Sequence, residues 1–137
     1  MKLQLSTTTK ITLVIAAFII SIIGFMVKLP SVFRHMDKEL HTAFYFLAAA
    51  FLNILFTNKK LTRHLLIFLA LLLFGVSIEY AQEYSNKLLH VRIHGRFDIE
   101  DVKANVKGLV GFSGLWIVYV GSLTDVKKMR MKNDVNN

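Results

Sequence analysis

Three pairs of polar residues have types and spacings that could do chemistry. The members of each pair stand three or four positions apart, so on an α-helix they would share one face. Carboxylates and an imidazole on such a face can exchange protons, and with amide groups they can orient a polar ligand. The pairs are Asp37 with His41, Glu79 with Gln82, and Asp101 with Asn105.

Each pair borders a long apolar run, which is where such residues are costly. Residues 65–78 are almost unbroken hydrocarbon, and the run ends abruptly at Glu79. An ionisable side chain at the edge of a lipid core is expensive unless it faces protein partners, so it indicates a functional site. The whole chain of 137 residues is 54% hydrophobic and contains no cysteine. This composition excludes an ordinary soluble domain, disulfides and thiolate metal sites.

The apolar runs predict an all-α fold, a polytopic membrane protein in which four transmembrane helices form a bundle. The predicted spans cover about residues 11–29, 39–57, 61–83 and 101–123, within a transmembrane domain at residues 1–123. The first run is long for a signal peptide and lacks a small-x-small cleavage site, so we predict a retained span. Part of the polar segment 84–100 is predicted to lie in the interface as a short amphipathic piece. Residues 124–137 are predicted to be a disordered polar tail.

Four spans put both termini on the same side of the membrane. Lys and Arg are almost equally numerous on the two faces, so the positive-inside rule decides little. We predict that the termini are cytoplasmic, because the positive charges of the other face lie among acidic residues. In the fourth span, glycine recurs every three residues, at Gly108, Gly111 and Gly114. This spacing predicts a flat strip that allows close helix packing. The same strip offers a contact for a homo-oligomer.

The up-and-down topology predicts that the polar pairs converge. The start of the second span, the end of the third and the start of the fourth would meet at one membrane face. Most of the acidic residues of the chain fall on that face. The candidate ligand-binding residues there are Asp37, Lys38, His41, Glu79, Gln82, Arg96, Asp101 and Asn105.

This ordered set resembles the VanZ-like membrane protein family. The resemblance rests on three groups of residues and covers roughly residues 30–114, although Gly111 follows Gly108 by three positions where four is expected. It implies a bacterial protein of the inner (cytoplasmic) membrane that acts at or near the cell envelope, in a family associated with resistance to glycopeptides such as teicoplanin. It implies no particular reaction. The motifs are Asp37-Lys38-x-x-His41, Glu79-x-x-Gln82, and Gly95-Arg96 ahead of Asp101-x-x-x-Asn105-x-x-Gly108.

One interpretation of the cluster is purely structural. Asp37 and Asp101 would stand at helix N-termini, where free N–H groups and the helix dipole favour a carboxylate. Ion pairs and hydrogen bonds would then lock the helices together. The pairs of this lock would be Glu79 with Arg96, Asp101 with Lys38, and Gln82 with Asn105.

The functional interpretation that we favour is recognition of an anionic lipid or a lipid-linked precursor, including one carried on polyprenyl phosphate. Arg96 would make a bidentate contact with phosphate, and Lys38 would act as a point charge. The alternative is a membrane-embedded enzyme, with His41 and Glu79 as the candidate catalytic acid–base pair. A His–carboxylate set could also hold a metal, but we assign no metal site and no cofactor. A transporter would need oligomerisation.

The net charge of +8 does not change this preference. In a membrane protein, Lys and Arg beside apolar spans meet anionic head groups and set topology. We therefore expect membrane lipids as partners and no nucleic acid.

Overall fold

A computed structural model describes residues 5–27, 30–90 and 97–135, except the side chains of Arg34, Asp134 and Val135. Within those ranges the chain forms four α-helices and no strand, and a 3-10 helix at Ser31–Met36 joins the first two. All four α-helices are long and apolar enough to cross a membrane. The predicted all-α fold of a multi-pass membrane protein is therefore confirmed. The helices are α1 (Thr7–Met26), α2 (Asp37–Phe56), α3 (Leu61–Leu89) and α4 (Ile99–Val135).

Local signals explain where several helices begin and end. The Ser6 hydroxyl accepts a hydrogen bond from the Thr9 main-chain N–H at 3.1 Å, so α1 is capped and begins four residues before the predicted span. Asn58 and Lys59 adopt positive φ angles of 45° and 62°, which close the tight turn between α2 and α3. His90, at φ 52°, ends α3 in the left-handed conformation common after a helix C-terminus.

Two predicted boundaries are wrong. Helix α3 continues to Leu89, past the predicted end of the third span at about residue 83, and an ion pair of 2.7 Å between Lys87 and Glu83 supports that last stretch. Helix α4 continues to Val135, so residues 124–135 are helical and not a disordered tail. No glycine or proline follows Gly121, and the lysines and methionines of this stretch are good helix formers. Residues 136–137 and 91–96 lie outside the described part of the chain.

Helix α2 is at the centre of the bundle. It packs mainly against α4, and α3 contacts both α2 and α4. Tyr45, Ala49, Leu71 and Leu109 form the buried apolar core. Many large apolar side chains on the outer faces are exposed, as expected for helices that face lipid.

A close approach of α2 and α4 is possible only because of Gly108. A Cβ at this position would collide with the carbonyl oxygen of Thr42 and lie 2.9 Å from the main-chain nitrogen of Phe46. The Thr42 hydroxyl also donates a hydrogen bond to the Ala104 carbonyl at 3.1 Å. These contacts set α2 and α4 side by side in the same direction.

The rest of the predicted glycine strip contributes less to packing within the chain. A Cβ at Gly111 would make an ordinary contact of 3.7 Å with the Phe46 ring. A Cβ at Gly114 would meet no atom of the described chain within 4 Å. The packing role is therefore confirmed for Gly108, weak for Gly111, and wrong for Gly114 within this bundle.

Helix α1 lies at the edge of the bundle and buries no residue fully. The Phe18 and Phe74 rings pack with centroids 5.3 Å apart, and Phe25 packs edge-on against Phe44 at 4.8 Å. Phe25 lies at the end of α1, beside the start of α2. Helices α1 and α3 therefore run opposite to α2 and α4, so the start of α1 and the end of α4 lie at the same end of the bundle.

Candidate functional site

Lys38 joins the start of α2 to the start of α4. Its ammonium group donates hydrogen bonds to Asp98 Oδ2 at 3.1 Å and to Asp101 Oδ1 at 3.2 Å. The Lys38 side chain remains 49% exposed, whereas Asp101 is buried. The predicted ion pair between Lys38 and Asp101 is confirmed, and it sets a partly exposed positive charge at the edge of the cluster.

His41 is held in a fixed orientation below this ion pair. The residue is 6% exposed, and its Nδ1 lies 2.8 Å from Asn105 Oδ1. Its Nε2 lies 3.9 Å from Asp37 Oδ1, and the Phe25 ring packs against the imidazole at 5.1 Å. The predicted meeting of the starts of α2 and α4 is thus made by direct side-chain contacts.

Glu79 brings the end of α3 to the same place. It is 1% exposed, and its Oε2 accepts the Asp98 main-chain N–H at 3.2 Å. Glu79 therefore fixes the residue that leads into α4. No hydrogen bond joins Glu79 to His41, so the described geometry does not present them as the paired acid and base that the sequence suggested. The predicted Glu79–Arg96 pair involves Arg96, which lies outside the described ranges.

The predicted pair of Gln82 with Asn105 is wrong. Gln82 Nε2 instead donates a hydrogen bond of 2.7 Å to the carbonyl oxygen of Phe25. The last carbonyl groups of a helix have no hydrogen-bond partner within that helix. The Phe25 carbonyl is one of these at the end of α1, and it accepts the side-chain amide of Gln82. Gln82 therefore ties α1 to α3, while Asn105 turns to His41.

Asp98 is a member of the cluster that the sequence reasoning missed. Its carboxylate accepts the main-chain N–H of Glu100 at 2.8 Å and binds Lys38. The Glu100 N–H is the main reason that the pKa of Asp98 lies below its ordinary value, and the Lys38 ammonium adds to the effect. An aspartate just before Ile99 has the sequence pattern of a helix cap, and that signal could have identified it.

Asn105 fills its position only because residue 75 is glycine. Asn105 is 1% exposed, and its Nδ2 has no hydrogen-bond partner among the described residues. A Cβ on Gly75 would lie 2.7 Å from this Nδ2 and 2.8 Å from the Tyr45 hydroxyl oxygen. The small residue in α3 therefore makes room for the amide that orients His41.

Replacing Gly75 by alanine is expected to disturb the cluster without removing any of its groups. The added methyl group pushes Asn105 and Tyr45 apart in a buried place, and the His41–Asn105 hydrogen bond lengthens or breaks. We expect the free energy of unfolding in detergent to fall by about 1–2 kcal/mol, the lower part of the range for overpacking. Gly24→Ala is the control, because a Cβ there meets nothing within 4 Å. Equal stability of the two variants would contradict this account of Gly75.

With this geometry established, the chain was compared with known proteins. No protein-family model, curated protein or solved structure matches it.

A second buried polar cluster lies at the opposite end of the bundle, and the sequence reasoning missed it. His64 Nδ1 lies 2.8 Å from Asn53 Oδ1, and its Nε2 lies 3.0 Å from the Ser113 hydroxyl oxygen. The Thr57 hydroxyl donates to Asn53 Oδ1 at 2.5 Å, and Trp116 stacks on the imidazole at 4.2 Å. One signal was available: Asn53 and Thr57 continue the four-residue spacing of His41, Tyr45 and Ala49. This cluster connects α2, α3 and α4.

Proposed function

We propose that this protein is a VanZ-like component of the bacterial cytoplasmic membrane that recognises a phosphate-bearing head group. The head group would belong to an anionic lipid or to a lipid-linked envelope precursor. With cytoplasmic termini, the cluster of Asp37, Lys38, His41, Glu79, Gln82, Asp98, Asp101 and Asn105 would lie at the outer face.

The observation that carries the proposal is the position of Lys38. Two carboxylates hold its ammonium group in place, yet half of the side chain remains open to solvent or to a ligand. A lysine in this state is a fixed point charge of the kind that binds phosphate. Its place at the start of α2, beside the start of α4, would set it at the level of the lipid head groups in a membrane.

The number of buried polar groups also favours a function beyond helix packing. Interhelical polar contacts in membranes average only about 0.6 kcal/mol each, so a lock of this size is an inefficient way to stabilise a bundle. Buried carboxylates such as Glu79 and Asp101 add a desolvation cost. The presence of these groups is better explained if they orient Lys38 and a ligand.

The test is the retention of lipid by a Lys38→Ala variant. We expect at least a tenfold loss in the retention of phosphatidylglycerol or polyprenyl phosphate relative to phosphatidylcholine, whose phosphate is neutralised by its own choline. The reason is that the variant lacks the positive charge that attracts a net anionic head group. Native mass spectrometry of the purified protein, with each lipid added separately, measures this and distinguishes the two anionic sources.

Lys103→Ala is the matched control for this experiment. Like Lys38, Lys103 is a lysine near the start of a helix, here α4, and it is paired with a carboxylate, that of Glu100 at 2.6 Å. Unlike the pairs of Lys38, this pair is exposed and lies within one helix. We expect this variant to bind lipid as the wild type does. Equal loss in both variants would indicate general attraction to the membrane, and no preference for anionic lipid in the wild type would overturn the proposal.

A further inference from the structure

The start of α2 and the start of α4 together present a set of groups suited to a metal ion. Asp37, His41 and Asp101 each offer one ligand atom, and these atoms lie within 4.8 Å of one another. Asp37 and His41 come from the same face of α2, and Asp101 comes from α4. His41 and Asp101 are buried, while Asp37 is partly exposed, which leaves one side of the set accessible.

The hydrogen bonding of His41 is an independent indication. Asn105 Oδ1 accepts the proton of His41 Nδ1, so in the neutral ring the Nε2 lone pair is free. That Nε2 is directed toward Asp37 at 3.9 Å, beyond hydrogen-bonding distance, and has no other hydrogen-bond partner among the described residues. A histidine that donates one ring N–H to an oxygen acceptor and turns its other nitrogen to carboxylates has the orientation typical of a metal ligand.

The charge balance of the cluster points the same way. Its described residues include four carboxylates, namely Asp37, Glu79, Asp98 and Asp101, and Lys38 contacts two of them. Like charges that are brought together and partly buried repel one another unless a cation compensates them. Among the described residues, Lys38 compensates Asp98 and Asp101, and a divalent ion beside Asp37 would add to that compensation.

We propose that Asp37, His41 and Asp101 bind a divalent metal ion such as Zn²⁺. Imidazole nitrogen and carboxylate oxygen are both ligands that zinc accepts, and three protein ligands leave a fourth position open. We infer further, on the basis of the proposed function, that this open position receives a phosphate oxygen of the lipid head group. The ion then provides the positive charge that an anion needs near so many carboxylates.

The binding of Zn²⁺ is measured first without lipid. Protein purified in detergent is treated with a chelator, dialysed and titrated with Zn²⁺ by calorimetry, and its thermal midpoint is recorded with and without the ion. We expect one site per chain and a higher midpoint with Zn²⁺. Mn²⁺ is expected to bind more weakly and Ca²⁺ weakest, because the imidazole ligand suits Zn²⁺ best.

Asp101→Asn and Asp37→Asn are expected to bind Zn²⁺ at least tenfold more weakly and to lose the thermal shift. Asp37 is partly exposed, so its variant keeps the test valid if the buried Asp101→Asn variant does not fold. Glu100→Gln is the matched control, since this exposed carboxylate lies one residue before Asp101 and pairs with Lys103. Absence of a stoichiometric site in the wild type, or unchanged binding in Asp37→Asn, would overturn the metal site.

Lipid retention is then measured with and without the chelator. Loss of phosphate-lipid retention on chelation supports both proposals. Retention that survives chelation in a protein that binds no Zn²⁺ refutes the metal site alone. Stoichiometric Zn²⁺ binding without any preference for anionic lipid refutes the proposed function and leaves the metal site standing.

Discussion

Gly108→Ala is expected to be among the most destabilising single substitutions in this protein. The new methyl group would collide with main-chain atoms of Thr42 and Phe46, and a backbone cannot turn aside as a side-chain end can. Helices α2 and α4 must therefore separate along their main contact, which also strains the hydrogen bond from Thr42 to Ala104. We expect the free energy of unfolding to fall by about 3 kcal/mol, the upper part of the range for overpacking.

Two other glycines of α4 provide the controls for this measurement. A Cβ at Gly114 or at Gly121 meets no atom within 4 Å, so Gly114→Ala and Gly121→Ala should be as stable as the wild type or slightly more stable. Thermal unfolding of the three variants in one detergent gives the comparison. If Gly108→Ala melted with its controls, the close approach of α2 and α4 would be incorrect.

Asn53→Leu is expected to have the second large effect, at the opposite end of the bundle. Leucine has the same number and branching of side-chain heavy atoms as asparagine but cannot accept a hydrogen bond. Thr57 can turn to a main-chain carbonyl of its own helix, but His64 Nδ1 loses its acceptor in a buried place. An unsatisfied buried donor costs about 1–3 kcal/mol, and we expect a loss of that size in the free energy of unfolding.

A double-mutant cycle separates this cause from a loss of packing. In Asn53→Leu/His64→Phe the unpaired donor is gone, and phenylalanine can still stack on Trp116. The double variant should therefore be more stable than Asn53→Leu alone. Ser77→Ala is the control, because the Ser77 hydroxyl is exposed and bonds only within its own helix. If the double variant were no more stable than Asn53→Leu, the hydrogen-bond explanation would be wrong.

The Asn53→Leu variant also tests whether the polar clusters at the two ends of the bundle are independent of each other. Residues 41 and 53 are twelve positions apart on α2, about 18 Å at the rise of an α-helix. The apolar core of Ala49, Leu71 and Leu109 lies between the clusters. We therefore expect folded Asn53→Leu to bind Zn²⁺ and anionic lipid as the wild type does, and the assays described above measure both.

The sequence determined the four spans and the face on which the polar pairs meet. Apolar runs of this length have few alternatives to a membrane helix, because a lipid core leaves backbone groups no partner outside the helix. The number of spans then determines which helix ends lie at the same membrane face. The contacts of Lys38 with Asp101 and of His41 with Asn105 confirm that prediction.

The partners within the cluster were decided by the tertiary structure. The rotation of each helix about its own axis cannot be read from the spacing of residues in the sequence. That rotation brings Gln82 to the Phe25 carbonyl and Glu79 to the Asp98 N–H. Gly75 and Gly108 set how closely the helices approach, whereas a Cβ at Gly114 would meet no atom of the described chain within 4 Å. Spacing along the chain predicts which residues share a face of one helix; only packing decides which face of the next helix they meet.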